Sequence, residues 1–338
     1  MLADFFSRYL SELDPYMQQI VRSSADLPDD FSVMLRYAMG WVDAKNQPYT
    51  HTTGKRIRPI LLLLCVESAG GDWRKGLPAA AAVELLHNFT LIHDDIQDDS
   101  PIRHNRSTVW IEWGRANAIN AGDALFTLAY CALESLSRQS IAPEIIIKIW
   151  RIFNHTMLEL TRGQHMDMRF EHETRVTTDE YISMLRGKTA ALVTACAQIG
   201  ALIGSADDER AAHFAEFGMN LGIAFQIRDD LLGIWGDPSV TGKSAATDIL
   251  SRKKSLPVLY GLEHSSALQV VYQRNPFSEQ DVKEAVELLD GVNAREYTLR
   301  SETEYYTRAM NALQAAAPQG QAAVSLDQLV KALFQRDH

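Results

Sequence analysis

An all-α chain folded as one domain over residues 1–338 is the architecture the sequence predicts, on three observations. Apolar residues recur at helical spacing in segment after segment, as in Phe5, Phe6, Tyr9, Leu10, Leu13, Met17 and Ile20. No segment shows the apolar–polar alternation of a strand, and no internal repeat is visible. The 338 residues are 46% hydrophobic, enough for one large core or two ordinary domains, and the elements are too evenly apolar to mark a boundary.

Taken in order, an amphipathic helix covers Ala3 to Arg22 and stops before the turn SSADLPDD, and a short helix follows from Phe31 to Val42. The polar loop AKNQPYTHTTGKR leads to Pro59, which suits the first turn of the helix IRPILLLLCVESAG. Lys55, Arg56 and Arg58 therefore stand at a helix N-terminus, where free N–H groups and the dipole favour an anion; a solvated basic loop is the plainer reading of the same residues. After Gly70-Gly71, a helix from Leu77 to Asp99 carries His87 and ends in an acidic run, and the loop 100–108 holds Arg103, His104 and Arg106. Long apolar helices run from Ala116 to Arg138 and from Pro143 to Met168, the second ending GQHMDMRFE with Gln164 and Asp167 on one face. Thr177 and Glu180 form a capping box opening the helix that carries Lys188 and Thr189 into AALVTACAQIGALIG. The helix Glu209 to Leu232 ends FQIRDDLL, and a glycine-rich loop, GIWGDPSVTGK, leads on to Asp248 and SRKKSLP. Helices at 278–290, 293–316 and 325–336 complete the chain with ordinary polar faces.

The chemistry concentrates in LIHDDIQDDSPIRHNRSTVW, residues 91–110. Asp94, Asp95, Asp98 and Asp99 crowd the end of a helix whose preceding residues, AAAAVELLHNFTLI, are almost wholly apolar. Like charges at i,i+4 destabilise a helix unless a cation sits between them. Such a run is often only wet surface. Carboxylates without cysteine ligands suit a hard ion such as Mg2+, which takes one or two carboxylates and completes its shell with water and phosphate oxygens. Arg103 and its neighbours would then meet a phosphate. Gln226, Asp229 and Asp230 repeat the pattern at i, i+3 and i+4 of a second apolar helix end. Lys188, alone in an apolar segment, needs an anionic partner. Two carboxylate pairs and a dispersed set of cations fit a clamp on diphosphate, and the cations exceed what one diphosphate requires, which suggests a condensation between two.

The remaining features exclude other classes. A net charge of −10 disfavours nucleic acid. The three cysteines, Cys65, Cys131 and Cys196, lack CxxC spacing and read as small core residues in a reducing cytoplasm. Met1 to Leu13 lacks the basic start and small-residue site of a secretory leader, and the longest apolar run noted, Ile57 to Val66, is too short for a membrane span, so no stable membrane anchor is expected. Neither a Ser/His/Asp arrangement nor a GxxxxGK[ST] loop competes with the diphosphate reading.

The motifs GKRIRP, LIHDDIQD with the following R-x-x-R, GQHMD, GKT, FQIRDD, TGK and DILSRKKSLP, in this order from Gly54 to Pro257, resemble those of the trans-isoprenyl diphosphate synthases of the polyprenyl synthetase family. The resemblance implies an isoprenoid synthase helical bundle around a central active-site cavity, acting as a homodimer, with the Ala116–Arg138 helix a candidate interface. It implies that Asp94 and Asp98 bind two Mg2+ ions and Asp229 a third, with Asp95 and Asp230 in support. Arg103, Lys188, Lys243 and Lys253 would grip the allylic diphosphate. Lys55, Arg58, His87 and His104 would hold isopentenyl diphosphate. Gln226 and Thr189 would position these groups. Ionisation of the allylic C–O bond, attack by the isopentenyl double bond and loss of a proton complete the reaction.

Two positions depart from the family pattern. His104 stands where an arginine is usual, so isopentenyl affinity is expected to weaken above neutral pH, and Gly233 stands where a third aspartate is common. For product length, Phe89 lies five residues before Asp94, about 7.5 Å along a helix axis at 1.5 Å per residue, with small Thr90 beside it and Leu86 one turn back. A lone aromatic there resembles geranylgeranyl diphosphate synthases and implies a C20 product. C15 or longer products, a class I terpene cyclase and a silent partner subunit are the competing readings. A cyclase has no need of Lys55 and Arg58, and silent subunits lose the first acidic motif.

Overall fold

The computed structural model describes residues 2–23, 27–49, 54, 56–236 and 246–334. Lys55 and Lys243, together with the TGK motif, lie outside them. The fold is all-α apart from one two-residue hairpin. The chain divides into two compact units. One comprises Met1–Trp150, Ile199–Asp207 and Gln319–Ser325, the other Arg151–Gln198, Asp208–Pro318 and Leu326–His338.

The first unit opens with α1 (Leu2–Ser23), whose Tyr9, Leu13, Met17 and Val21 form a buried i,i+4 stripe. Each such side chain contributes about 1.5–3 kcal/mol by leaving water. Tyr9 closes the stripe by donating its hydroxyl to Glu67 at 2.5 Å. Helix α2 (Asp29–Ala38) begins earlier and stops sooner than the expected Phe31–Val42, because Gly40 adopts φ +75° and the chain turns. Helix α3 (Ile57–Ser68) is buried along nearly its whole length. Helix α4 (Leu77–Gln97) packs most extensively against α6 (Arg115–Glu134), with short α5 (Val109–Trp113) between them in sequence. Gly122 on α6 makes this packing close, since a Cβ there would overlap the His93 ring of α4. The expected helix to Arg138 ends in a 3-10 turn, Ser135–Arg138, and Cys131 is exposed while Cys65 and Cys196 are buried. Cys131 is therefore not the core residue its apolar context suggested.

In loop 100–108, β1 (Ile102–Arg103) pairs with β2 (Arg106–Ser107) around a two-residue turn, His104-Asn105, with φ of +50° and +59°. Two positive φ values are the signature of a type I′ hairpin turn, too short to leave an alternation pattern in the sequence.

Helix α7 (Pro143–His172) outruns the expected end at Met168, and Lys254 donates to the carbonyls of Phe170 and Glu173 at that end, a basic side chain capping a helix C-terminus. The division between the units falls within this helix, so the segment from Arg151 belongs to the second unit. The Thr177–Glu180 capping box is present, with Thr177 N–H donating to Glu180 Oε2 at 2.9 Å, and opens α8 (Thr178–Leu185). A π turn, Arg186–Ala190, then joins α8 to α9 (Ala191–Ser205). The continuous stretch Thr178–Ser205 is, by length and composition, apolar enough to cross a membrane, which the expectation of 57–66 as the longest run missed. With 61% of its most apolar window buried inside the protein and Lys188 in its middle, it reads as a core element.

Helix α10 (Asp208–Trp235) packs chiefly on α15 (Ala294–Ala315), whose Tyr297 and Tyr305 lie against a core built by Tyr181, Leu185, Ile223, Ile227, Leu256 and Leu259. A second core gathers Ile234, Ile249, Val258, Leu268 and Leu289 from α10, α11 (Thr247–Leu250), α12 (Leu256–His264), α13 (Ser266–Gln273) and α14 (Glu279–Gly291). Helices α12 and α13 were not marked out in the sequence, and α16 (Gly320–Phe334) starts five residues before the expected 325.

Candidate active site

In the first unit, α4 ends at Gln97, so Asp98 is its C-cap and Asp99, at φ +50°, already turns away. Asp98 N–H donates to Asp94 C=O at 2.8 Å, which sets the two side chains one turn apart. Asp94 is half-buried and Asp98 exposed, whereas Asp95 is only 5% exposed. Asp95 accepts from Arg103 Nε at 2.7 Å. Burial pushes the Asp95 carboxyl up, and Arg103 opposes that. Asp99 pairs with Arg115, whose second N–H caps α4 at the Ile96 carbonyl at 3.0 Å.

The hairpin is held by Arg106, which lies 3.7 Å and 4.3 Å over the Tyr37 and Tyr49 rings and donates to Val42 C=O at 3.0 Å. The second arginine of R-x-x-R is thus a brace. It also lines, with Arg56, Arg58, His87, Arg103 and His104, a cavity of about 220 Å³. Arg56, an αL residue ahead of α3, pairs with buried Glu84 at 2.6 Å. Arg58 lies 3.1 Å from His87 Nε2. A guanidinium only donates, so that nitrogen accepts and the ring proton sits on Nδ1. Burial, with Arg58, Arg103 and Arg56, drives the His87 pKa well down, leaving a neutral imidazole. His104 is also lowered, by burial and by Arg103 against the pull of Asp95. Its titration therefore moves to the acid side of its ordinary value, and the expected change above neutral pH is corrected: in the free protein it lies below.

Phe89 is not a lone aromatic. Its ring packs at a tilt against His93 at 4.6 Å and Phe126 of α6 at 5.2 Å, and Phe126 continues to Tyr130 and Trp150. Thr90 is turned back on its helix, its hydroxyl donating to His87 C=O at 2.8 Å, and Leu86 is fully buried.

In the second unit, α7 and the π turn approach backbone to backbone. A Cβ on Gly187 would lie 2.5 Å from Glu159 C=O, and one on Gly163 would fall on the Lys188 amide nitrogen. This contact brings Lys188 to Asp167 in an ion pair. Thr189 Oγ1 donates to Gln226 Oε1 at 3.0 Å, and Gln226 Nε2 reaches Asp230 Oδ1 at 3.4 Å. Asp230 is fully buried and accepts from Tyr181 OH at 2.5 Å and Leu256 N–H at 3.3 Å, with Lys253 Nζ at 3.5 Å. Burial pushes the Asp230 carboxyl up against those three partners. Burial alone would lower Lys253, but Asp230 and Asp248 outweigh it and raise its pKa. Asp229 beside them is exposed.

The same division recurs in each unit. The second aspartate of the pair, Asp95 or Asp230, is buried and orients a cation, Arg103 or Lys253, while the first is less buried, Asp94 half-buried and Asp229 exposed. Among the described residues no group of three or more His, Cys, Asp or Glu side chains could hold a metal unaided. Two carboxylates per site that still need water and phosphate oxygens fit Mg2+ rather than a caged ion. Sequence reasoning did not pick out Tyr181, Asp167 as the partner of Lys188, or Asp248; Tyr181 carried no signal, since an apolar helix reads a tyrosine as core.

An all-α protein with an acidic helix end and an oriented cation in each of two units is the class this geometry defines. The polyprenyl synthetase family profile matches residues 40–289, and the chain belongs to that family. It is 40% identical over 255 residues to a (2E,6E)-farnesyl diphosphate synthase of Mycobacterium tuberculosis, covering 75% of this chain and 66% of that relative's length. A geranylgeranyl diphosphate synthase of the same organism is 36% identical over 328 residues, 96% of this chain and 91% of the relative. Among solved structures, a polyprenyl synthetase from Streptomyces coelicolor A3(2) superposes with a TM-score of 0.88 at 34% identity, covering 97% and 98% of the two chains. The fold is accordingly the isoprenoid synthase fold.

Proposed function

We propose that the chain is a prenyltransferase that joins isopentenyl diphosphate head-to-tail to an allylic diphosphate, releasing diphosphate and giving geranylgeranyl diphosphate. The observation that carries this is the cavity in which Arg58, His87, Arg103 and His104 converge beside the Asp95 end of α4. Arg58 and His104, with Lys55, receive the isopentenyl diphosphate, and neutral His87 adds an N–H donor without a charge to desolvate. Arg103, Lys188, Lys243 and Lys253 take the allylic diphosphate, with Thr189 and Gln226 fixing the orientation of Asp230 and hence of Lys253. Mg2+ bound through Asp94, Asp98 and Asp229 would neutralise the allylic diphosphate as it leaves. The proton lost from the new double bond goes to the departing diphosphate.

The chain works as one catalytic domain, a reading supported by a family match that runs through residues of both units. It acts in the cytoplasm as a homodimer, for which exposed Ile111, Ile119 and Ile147 in the first unit offer apolar surface. The farnesyl relative favours a second reading, a C15 product. If the two acidic pairs serve one reaction, Asp94→Asn and Asp229→Asn should each lower kcat by at least about a hundredfold, with circular dichroism unchanged. Loss in only one of the two would contradict it.

A further inference from the structure

The two oxygens of buried Asp230 face different neighbours. Oδ2 accepts from Tyr181 OH at 2.5 Å and from Leu256 N–H at 3.3 Å. Oδ1 is left to Gln226 Nε2 at 3.4 Å and Lys253 Nζ at 3.5 Å. Leu256 opens α12, where Ser255 makes no side-chain cap among the described residues, so Asp230 also accepts from that helix end. Tyr181 comes from α8 and is only 1% exposed. Its N–H donates to Thr177 C=O at 3.0 Å, at the capping box that starts the helix, and its ring belongs to the core with Ile223, Ile227 and Leu256. Burial and the neighbouring carboxylate push its pKa well up, so the phenol stays protonated and can only donate to Asp230.

We infer that Tyr181 is a positioning residue for Lys253: its hydroxyl holds Oδ2 of Asp230 so that Oδ1 is presented to the ammonium. The last torsion of an aspartate side chain is soft, and a lysine ammonium on its four-carbon stem has little fixed geometry of its own. Of the two donors on Oδ2 the phenol is much the closer, a charge-assisted contact of the strong kind. Its loss lets the carboxylate turn, and the contact to Lys253, already long at 3.5 Å, is the first to suffer.

This inference rests on the prenyltransferase reading, in which Lys253 takes the allylic diphosphate, and the experiment separates the two. Wild type, Tyr181→Phe, Asp230→Asn and the double variant Tyr181→Phe/Asp230→Asn are compared for calorimetric Kd of the unreactive thio analogue of geranyl diphosphate with Mg2+, and for KM of geranyl and isopentenyl diphosphates. Loss of one charge-assisted contact predicts an allylic Kd and KM raised about tenfold in Tyr181→Phe. Isopentenyl KM should stay within about twofold, and so should the further change in allylic Kd when Tyr181→Phe is added to Asp230→Asn, where no carboxylate remains to direct Lys253. The stoichiometry of the titration counts folded protein, so lost stability alone lowers the number of sites and leaves Kd at the wild-type value. An unchanged allylic Kd in Tyr181→Phe, both substrates weakening together, or a full further loss in the Asp230→Asn background would overturn the inference. Should Tyr181→Phe not fold, the double variant, which leaves no buried charge short of a donor, still decides through its comparison with Asp230→Asn. Wild-type binding of the analogue without elongation would sink the reaction proposed above and leave this test readable through Kd.

Discussion

Each acidic pair divides its work by exposure. Asp95 and Asp230 are spent on orienting Arg103 and Lys253, and Asp94 and Asp229 stay accessible. The sequence shows four similar aspartates in two DD pairs; which of each pair turns inward depends on helix phase and on partners far away in the chain, such as Tyr181 for Asp230. His104 illustrates the same limit. Its place beside Arg103 is readable from the motif, but the direction of its pKa shift depends on burial and on Arg103. Because that shift is downward, His104 is protonated only below its lowered pKa, and the cation is lost as pH rises through that value. Isopentenyl KM should therefore rise with pH on the acid side of about 6.5, the ordinary histidine value, and be flat from neutral pH upward. A His104→Arg variant should show no such rise. Steady-state KM measured across this range checks it, and a continuing rise above neutrality would restore the unshifted histidine.

At the scale of elements, the helices and their acidic ends were legible because a 3.6-residue apolar period and turn chemistry are local signals. The hairpin at 102–107, the π turn at Lys188 and the short helices α12 and α13 were not, because each is set by contacts across the unit rather than by its own period. The glycines of GQHMD and GKT are explained only by the packing of α7 on the π turn. Gly163→Ala should destabilise by about 1–3 kcal/mol through overpacking and lower activity further by moving Lys188, as read by denaturant unfolding and kcat. A variant with unaltered stability would refute the close approach. The aromatic cluster on α4 and α6 changes the expectation for chain length as well. With Phe126 behind Phe89, Phe89→Ala alone should lengthen the product modestly, and Phe89→Ala/Phe126→Ala should lengthen it more. Chromatography of the product alcohols tests this, and equal products from both variants would show that Phe126 does not limit chain length.

For the whole molecule, a net charge of −10 would have to coexist with the trianionic diphosphates of the proposed reaction. The overall field opposes their approach, so recognition falls to local cations held by buried acids: Arg56 by Glu84, Arg103 by Asp95, Lys253 by Asp230 and Asp248. The family match, residues 40–289, runs through residues of both units. The most direct test of the central claim is incubation of the purified 338-residue chain with Mg2+, isopentenyl diphosphate and each of dimethylallyl, geranyl and farnesyl diphosphate, followed by chain-length analysis of the dephosphorylated alcohols. The account predicts elongation with a dominant C20 alcohol. A dominant C15 alcohol would keep the chemistry and favour the farnesyl reading, and folded protein that elongates none of the three primers would contradict the account.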